Sequence, residues 1–292
     1  MKIKRTREDY CVSIISYGFM ILFAVAALFP FLNIIAKTFS EDWAVVSGNV
    51  SILPKGFQTD TIRYVLTSDA YLHSLVLSLI VLVVGTTCAF SLTALTAYPL
   101  SKKHLPGMKF FLMLCIFTML FNGGLIPNYL LMRNLKLLNT FPVLILPTMF
   151  SAYNMLIIKN YYEALPESIE EAARIDGASN FEVFFKIVAP LSKPVYATII
   201  LFVAVAYWND YFNPMLYTSK ATLKTLQLYL RDLVLEATGG GQAADIEANW
   251  ENMSSEGVRC ASIIVSVIPM LIIYPFIQKY FIKGIMIGSV KG

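Results

Sequence analysis

The chain has 292 residues and a formal net charge of +4, and 57% of its residues are hydrophobic while only 14% are charged. A soluble domain has about 45–50% apolar and about 25% charged residues, so this chain needs lipid to cover part of its surface. The same composition excludes a disordered chain, a disulfide scaffold and a nucleic-acid-binding protein. The four cysteines share no CxxC spacing and there are only two histidines, so we expect no metal site and interpret the cysteines as small buried hydrophobic residues.

Six apolar stretches are long enough to cross a bilayer core, which needs about 20 residues per helix. They lie near Cys11–Ala36, Tyr71–Pro99, Met108–Leu131, Phe141–Asn160, Val195–Leu216 and Cys260–Ile282. The first is longer than the core of a signal peptide and lacks a convincing cleavage site, so we interpret it as a retained anchor, with a cleaved signal as the alternative. The sequence predicts an all-α, polytopic membrane bundle of six transmembrane helices, in one domain over residues 1–292.

The distribution of Lys and Arg predicts the orientation of these spans. The N-terminus, the loops after the second and fourth spans, and the C-terminus carry most of the 23 Lys and Arg residues. Such residues stay on the cytoplasmic side, so both termini are predicted to be cytoplasmic. Lys102, Lys103 and Lys109 need only this orientation and contact with anionic lipid. Outer loops then cover residues 37–70 and 217–259, and a cytoplasmic loop covers residues 161–194.

The cytoplasmic loop 161–194 begins with the signals of a short helix. Pro166 and Glu167 suit a first turn, because proline lacks only a donor that is free there and an acid favours the positive end of the helix dipole. Residues 168–175 continue the helix with good helix formers. Gly177 is placed to end it in a left-handed conformation.

A second short helix is predicted over Asn180–Val188. Ser179 and Glu182 have the spacing of a capping box, and Pro190 and Pro194 are expected to stop the helix. Four apolar residues recur at helical spacing on one face, namely Phe181, Phe184, Phe185 and Val188. From the residues alone, this helix pair either packs on the membrane surface or docks a cytoplasmic partner.

Residues 170–194 resemble the EAA motif of ABC-importer permeases, and the resemblance extends from the second span to the C-terminus. It is carried by Glu171-Ala172-Ala173, Gly177, Ile187 and Pro190, although Ala189 stands where the family usually has leucine. The motif implies a coupling helix seated on an ATPase. The residues that it assigns to this coupling are Glu170, Glu171, Ala172, Ala173, Asp176, Gly177, Ala178, Phe181, Phe184, Ile187 and Pro190.

Other stretches resemble the sugar-permease branch of that family, which includes the maltose permeases. Trp208-Asn209-Asp210-Tyr211 is similar to this branch. The stretches 122–131, 137–147 and 283–292 are similar to a narrower subgroup that takes up complex, often acidic, oligo- and polysaccharides such as alginate, aldouronates and rhamnogalacturonan fragments. The resemblance therefore implies import of a sugar polymer or its fragments.

The resemblance also implies an assembly in the bacterial inner membrane. A second homologous permease would complete a heterodimer, two copies of a cytoplasmic ABC ATPase would bind below it, and an extracytoplasmic solute-binding protein would deliver the sugar. The sequence has no GxxxxGK[ST] loop, so ATP-Mg is expected on the partner ATPase and no cofactor is expected on this chain. No Ser/His/Asp or Cys/His set converges, so we do not expect an enzyme.

Polar residues within the spans are the candidates for a substrate pathway, because they are costly in lipid and usually face a cavity. They are Asn122, Asn128, Tyr129, Tyr153, Asn154, Trp208, Asn209, Asp210, Tyr211 and Asn213. Trp208 and Tyr211 equally suit an interfacial aromatic belt. Gly123-Gly124 with Pro127 either breaks the third span towards a cavity or serves close helix packing.

Two other classes of protein compete with the importer. A secondary transporter driven by an ion gradient would need an acid or base inside the membrane, and the deep parts of the six spans have none, since Asp210 lies at a span end. A membrane scaffold without transport would leave the capped helix pair of the cytoplasmic loop unexplained.

Overall fold

The computed structural model describes the backbone of residues 7–102, 105–236 and 253–289, and side chains within 12–102, 105–235 and 253–272. These residues are mostly helical, with an isolated antiparallel bridge between Ser40 and Phe57. They fall into two compact units, which comprise the described parts of Met1–Asp69 with Asp232–Ile268 and of Ala70–Arg231 with Pro269–Gly292. The single permease domain that we predicted over residues 1–292 stays a prediction.

The first unit contains the N-terminal span and a folded loop. Its helices are α1 (Arg7–Thr38), α2 (Asp42–Val46) and α3 (Asp60–Thr67), together with the beginning of the last helix, Ser255–Ser289. Ala36, Ala44, Val45 and Val50 form a small buried core where the loop returns to the end of α1. Lys37 donates to Glu256 at 2.5 Å, and the Asp42 carboxylate accepts from the backbone N–H of Ser254 at 2.9 Å. These contacts hold the loop against the start of the last helix.

The second unit contains α4 and a series of shorter helices. Their bounds are α4 (Asp69–Leu100), α5 (Met108–Leu120), α6 (Leu125–Asn134), two 3-10 turns (Phe141–Leu144 and Leu146–Thr148), α7 (Ala152–Glu163), α8 (Glu167–Ile175), α9 (Asn180–Leu191), α10 (Lys193–Asn209), α11 (Phe212–Tyr217), a 3-10 turn (Ala221–Leu223), α12 (Leu226–Glu236) and α13, which is Ser255–Ser289. Helix α4 crosses the unit without interruption.

By length and composition, the described helices offer three to six membrane crossings, in keeping with an all-α membrane bundle. Residues Val12–Thr38, Asp69–Leu100 and Ser255–Ile272 are each long and apolar enough to span a bilayer. Three further spans result if each sharply bent pair of segments counts as one, with bends of 117° between α5 and α6, 56° between the 3-10 turns and α7, and 81° between α9 and α10.

The third and fifth spans are not the continuous helices that we predicted. The third breaks between α5 and α6 at residues 121–124, where Gly124 has a φ of +89°, so the break that we considered at Gly123-Gly124 is present. The fifth ends at Asn209 and restarts at Phe212. In the fifth span the apolar composition concealed the interruption, because hydropathy alone does not distinguish a straight helix from a broken one.

Prolines explain the two remaining corrections. The predicted helix Phe141–Asn160 is wrong in its first half, because Pro142 and Pro147 start short 3-10 turns in place of one long helix. The prediction that Pro190 stops the second cytoplasmic helix is also wrong, since α9 runs through it to Leu191. A π turn over Phe184–Val188 precedes this proline and widens the helix where the proline N–H is missing.

Candidate functional site

The loop between α7 and α10 has the local geometry that its sequence predicts. Gly177 follows α8 with a φ of +85°, which confirms the left-handed turn. The capping box is also confirmed, because the Ser179 hydroxyl accepts from the Glu182 N–H at 3.3 Å and the Glu182 carboxylate accepts from the Ser179 N–H at 3.0 Å. The hydrogen bond from Lys186, together with those from Ser179, lowers the pKa of the Glu182 carboxyl to about 2. The two helices therefore meet at a fixed corner.

Glu170 of α8 points into the protein and binds the end of α4. The Lys102 ammonium lies 2.5 and 2.6 Å from its two carboxylate oxygens, and the Tyr98 hydroxyl donates to it at 3.3 Å. Arg174, one turn further along α8, completes the set at 3.5 Å. Our interpretation of Lys102 as a residue that needs only lipid contact is therefore wrong, because its charge is neutralised within the protein.

Aromatic rings pack α9 against the same end of the bundle. Phe184 is buried, with its ring centroid 5.0 Å from that of Tyr98 and 6.4 Å from that of Tyr162. The Tyr162 hydroxyl lies 2.5 Å from the Tyr196 hydroxyl on α10, and the Tyr161 hydroxyl donates to the Leu191 carbonyl at 3.2 Å. The helix pair is thus fastened to α4 and α7, and α7 is in turn bonded to α10.

Three large apolar side chains of the helix pair are exposed. Ile175, Phe181 and Phe185 are 86%, 74% and 59% exposed, and we call these three residues the loop tip. Phe181 also lines a cavity of about 600 Å³ with Tyr98 and Lys102. The predicted coupling residues differ in exposure: Glu171, Ala172, Asp176, Gly177, Phe181 and Pro190 are exposed, Ala173, Ala178 and Ile187 are half-buried, and Glu170 and Phe184 are buried. The last two pack the loop against α4, and the coupling role of the whole set stays a prediction.

A cavity of about 570 Å³ lies among the interrupted spans, and we call it the amide cavity. Asn122, Asn128 and Asn213 contribute its amides, and Phe212 and Tyr217 contribute aromatic faces. Its remaining walls are Gly124, Leu125, Leu131, Met132, Leu146, Pro147 and Leu216. The structure thus brings together three of the residues predicted for the pathway, and a fourth, Tyr129, stacks on Tyr217 with 6.3 Å between ring centroids.

Breaks in three different spans meet at the amide cavity. Gly124 lies at the break before α6, Pro147 lies in the turn before α7, and Asn213 lies just after the break between α10 and α11. Irregular backbone at membrane depth is tolerated where it lines a cavity, because its polar groups are then not exposed to lipid. At one break the Asn122 side chain accepts from the Gly124 N–H at 2.9 Å.

The other predicted pathway residues lie elsewhere or have partners of their own. Trp208 is only 4% exposed, which does not fit a residue of an interfacial aromatic belt. It is not among the described residues that line the amide cavity, and its role in the pathway stays a prediction. The Asp210 carboxylate accepts from the backbone and side-chain N–H groups of Asn213 at 3.1 and 2.7 Å, and the Asn209 amide donates to the Val205 carbonyl at 2.9 Å.

Three more of the predicted residues stand apart from the amide cavity. Tyr153 and Tyr211 are exposed. Asn154 lines a separate cavity of about 150 Å³ with the polar side chains of Thr93, Ser151 and other residues. In the described part of the chain, no cluster of three or more His, Cys, Asp or Glu residues is placed to hold a metal ion.

Sequence reasoning missed the residues that complete both sites. Tyr98 and Tyr162 fasten the loop, and Phe212 and Tyr217 line the amide cavity. Their aromatic types in apolar stretches are common to many spans, so no local signal separated them from lipid-facing neighbours. Their partners lie far away along the chain, which only the fold brings together.

Comparison with known proteins agrees with this architecture. Residues 105–287 match the family described as binding-protein-dependent transport system inner membrane component. Two relatives from Bacillus subtilis (strain 168) are each 41% identical: the polygalacturonan/rhamnogalacturonan transport system permease protein YtcP, over 94% of this chain and 96% of the relative, and the protein LplC, over 91% and 90%. The crystal structure of a bacterial ABC transporter involved in the import of the acidic polysaccharide alginate contains a chain with 32% identity and a TM-score of 0.88, over 96% of this chain and 100% of that one.

Proposed function

The chain belongs to the family of binding-protein-dependent transport system inner membrane components, and we propose that it is one permease subunit of an importer for acidic oligo- or polysaccharides. The amide cavity carries this proposal, because it joins amides and aromatic faces at the breaks of three spans. Amides bond sugar hydroxyls, and aromatic faces pack on the apolar faces of sugar rings. Membership of this family leaves no place for the alternative of a transporter driven by an ion gradient.

The lining of the amide cavity is compatible with an acidic sugar, because none of the described residues that line it is charged. A sugar carboxylate that passes here would therefore meet no carboxylate in this wall. The names of two similar proteins point the same way, since one transports polygalacturonan or rhamnogalacturonan and the other takes part in alginate import.

The loop tip and the family support the rest of the proposed assembly. The exposed side chains of Ile175, Phe181 and Phe185 would seat in a cytoplasmic ATPase, which is present in two copies and binds ATP-Mg. A second, homologous permease completes the pathway, and an extracytoplasmic binding protein delivers the sugar. The complex lies in the bacterial inner membrane with both termini of this chain in the cytoplasm.

Uptake by the reconstituted complex tests the proposal. The chain is co-expressed with its partner permease and ATPase, purified, and placed in vesicles that contain ATP, and the binding protein is added outside. Oligogalacturonides are expected to accumulate only with ATP, and neutral malto-oligosaccharides of the same length are expected to accumulate less. Faster uptake of the neutral sugar would overturn the acidic substrate, and failure of any ATPase to co-purify would overturn the importer.

A further inference from the structure

The contact between Glu170 and Lys102 differs from an ordinary surface ion pair. Only 9% of the Glu170 side chain and 15% of the Lys102 side chain are exposed. The ammonium is within 2.6 Å of both carboxylate oxygens and also lies 4.7 Å from the centre of the Tyr98 ring. A charge pair that is shielded from water in this way interacts more strongly than an exposed one and resists a change of register.

The same loop offers an exposed pair for comparison. Lys186 and Glu182 are 2.8 Å apart, but 73% and 46% of their side chains are exposed and both residues belong to α9. That pair stabilises a single helix turn. Lys102 and Glu170 are 68 positions apart in the chain and join α8 to the end of α4.

We propose that Lys102 and Glu170 form a latch through which a displacement of α8 is passed to α4. Both are positioning residues, and the proposal rests on the proposed function, in which the ATPase moves the loop. The ion pair fixes the axial register of α8 on α4, whereas the rings of Tyr98 and Phe184 fix the separation of the neighbouring helix α9 from α4. Apolar rings alone can slide along each other, because dispersion has little directional preference.

Helix α4 continues this connection to the irregular turns before α7. Gly85, near its middle, is covered by the Tyr207 ring, and a Cβ at this position would lie 2.8 Å from the ring atom Cζ. The Tyr207 hydroxyl donates to the carbonyl of Ile145 at 3.0 Å, in the interrupted stretch that also supplies Leu146 to the amide cavity. A shift of α4 relative to α10 therefore acts on a wall of the amide cavity.

The test measures sugar imported per ATP hydrolysed, for equal amounts of assembled complex. The variants are Lys102→Met, Glu170→Gln, the two together, and Lys102→Arg, which keeps the charge. Lys186→Met is the matched control, because it breaks the exposed pair in the same loop. We expect the ratio to fall about ten-fold in each single variant, no further in the double variant, and hardly at all in Lys102→Arg and Lys186→Met.

The outcomes separate the latch from the function on which it rests. If the wild-type complex imports no sugar, the proposed function fails. If the wild type couples ATP hydrolysis to import and the single variants couple as well as it does, the latch alone is overturned. The latch is also overturned if the losses in the two single variants multiply in the double variant, because the two residues then act independently.

Discussion

The loop tip and the amide cavity lie in the same compact unit, but their backbones are organised in opposite ways. In the loop, a left-handed glycine and a capping box close the helix ends, so α8 and α9 meet with their terminal groups bonded. Around the amide cavity, three spans are interrupted and the ends are joined by turns and by single side chains such as Asn122. One region is built from completed helices and the other from broken ones.

This difference suits the role that we propose for each region. A loop that is to receive a displacement from an ATPase must not deform, and bonded helix ends with the buried Glu170 pair provide that stiffness. A cavity that is to accept many sugar units in turn needs polar groups in several directions, which interrupted helices supply. Substitutions in the loop, in the amide cavity and in the α4 contact that connects the two should therefore have separable effects.

The largest effect is expected from Gly85→Val, at the contact between α4 and Tyr207 that connects the loop to the amide cavity. The added side chain would collide with the Tyr207 ring, and overpacking of this kind costs about 1–3 kcal/mol. We expect a lower midpoint of thermal unfolding for the purified complex and a smaller yield of assembled complex. Tyr207→Phe keeps the ring and loses only the bond to the Ile145 carbonyl, about 0.6 kcal/mol in a membrane protein. Equal midpoints for Gly85→Val and the wild type would contradict this packing.

A smaller effect on stability, but a large one on transport, is expected from Gly177→Val. An added Cβ meets no atom within 4 Å, so the cost comes only from the φ of +85° and is about 1–2 kcal/mol. We expect α9 to turn away from α8, and import per assembled complex to be lost while the yield is nearly kept. Gly177→Asn is the control, since asparagine tolerates this conformation. Equal import by the valine and asparagine variants would show that the corner is not needed.

These two glycines also show what the sequence could predict. Gly177 lies between helix signals only a few residues away, so its conformation and the capping box at Ser179 followed from local chemistry. Gly85 gave no such signal. A glycine is needed there because the ring of Tyr207 leaves no room for a Cβ, and Tyr207 lies more than one hundred positions further along the chain. The six apolar stretches likewise predicted the membrane bundle from composition alone.

The partners across the fold were beyond the reach of the sequence. Glu170 was interpreted as a coupling residue and Lys102 as a lipid contact, and their pairing needs the fold. Trp208 was placed by residue type, although its burial depends on which side of α10 faces the bundle. Pro142 and Pro147 were visible, but a strongly apolar stretch outweighed them in the prediction of one long helix.

The smallest expected effect tests the amide cavity itself, through Asn128→Ala. The Asn128 amide is exposed in the amide cavity and lies 3.4 Å from the Asn122 oxygen, so its loss leaves intact the shorter bond from the Gly124 N–H to that oxygen. The turn between α5 and α6 should therefore persist, and only one hydrogen bond to a passing sugar is lost, about 0.5–1.5 kcal/mol. We expect import of oligogalacturonide to fall about two- to ten-fold, with unchanged thermal stability and unchanged yield of complex. Asn209→Ala is the matched control, because that amide is also exposed but bonds the Val205 carbonyl and does not line the amide cavity. If both variants import at the same rate, the amide cavity does not contact the sugar, and the broken spans would have to serve another purpose.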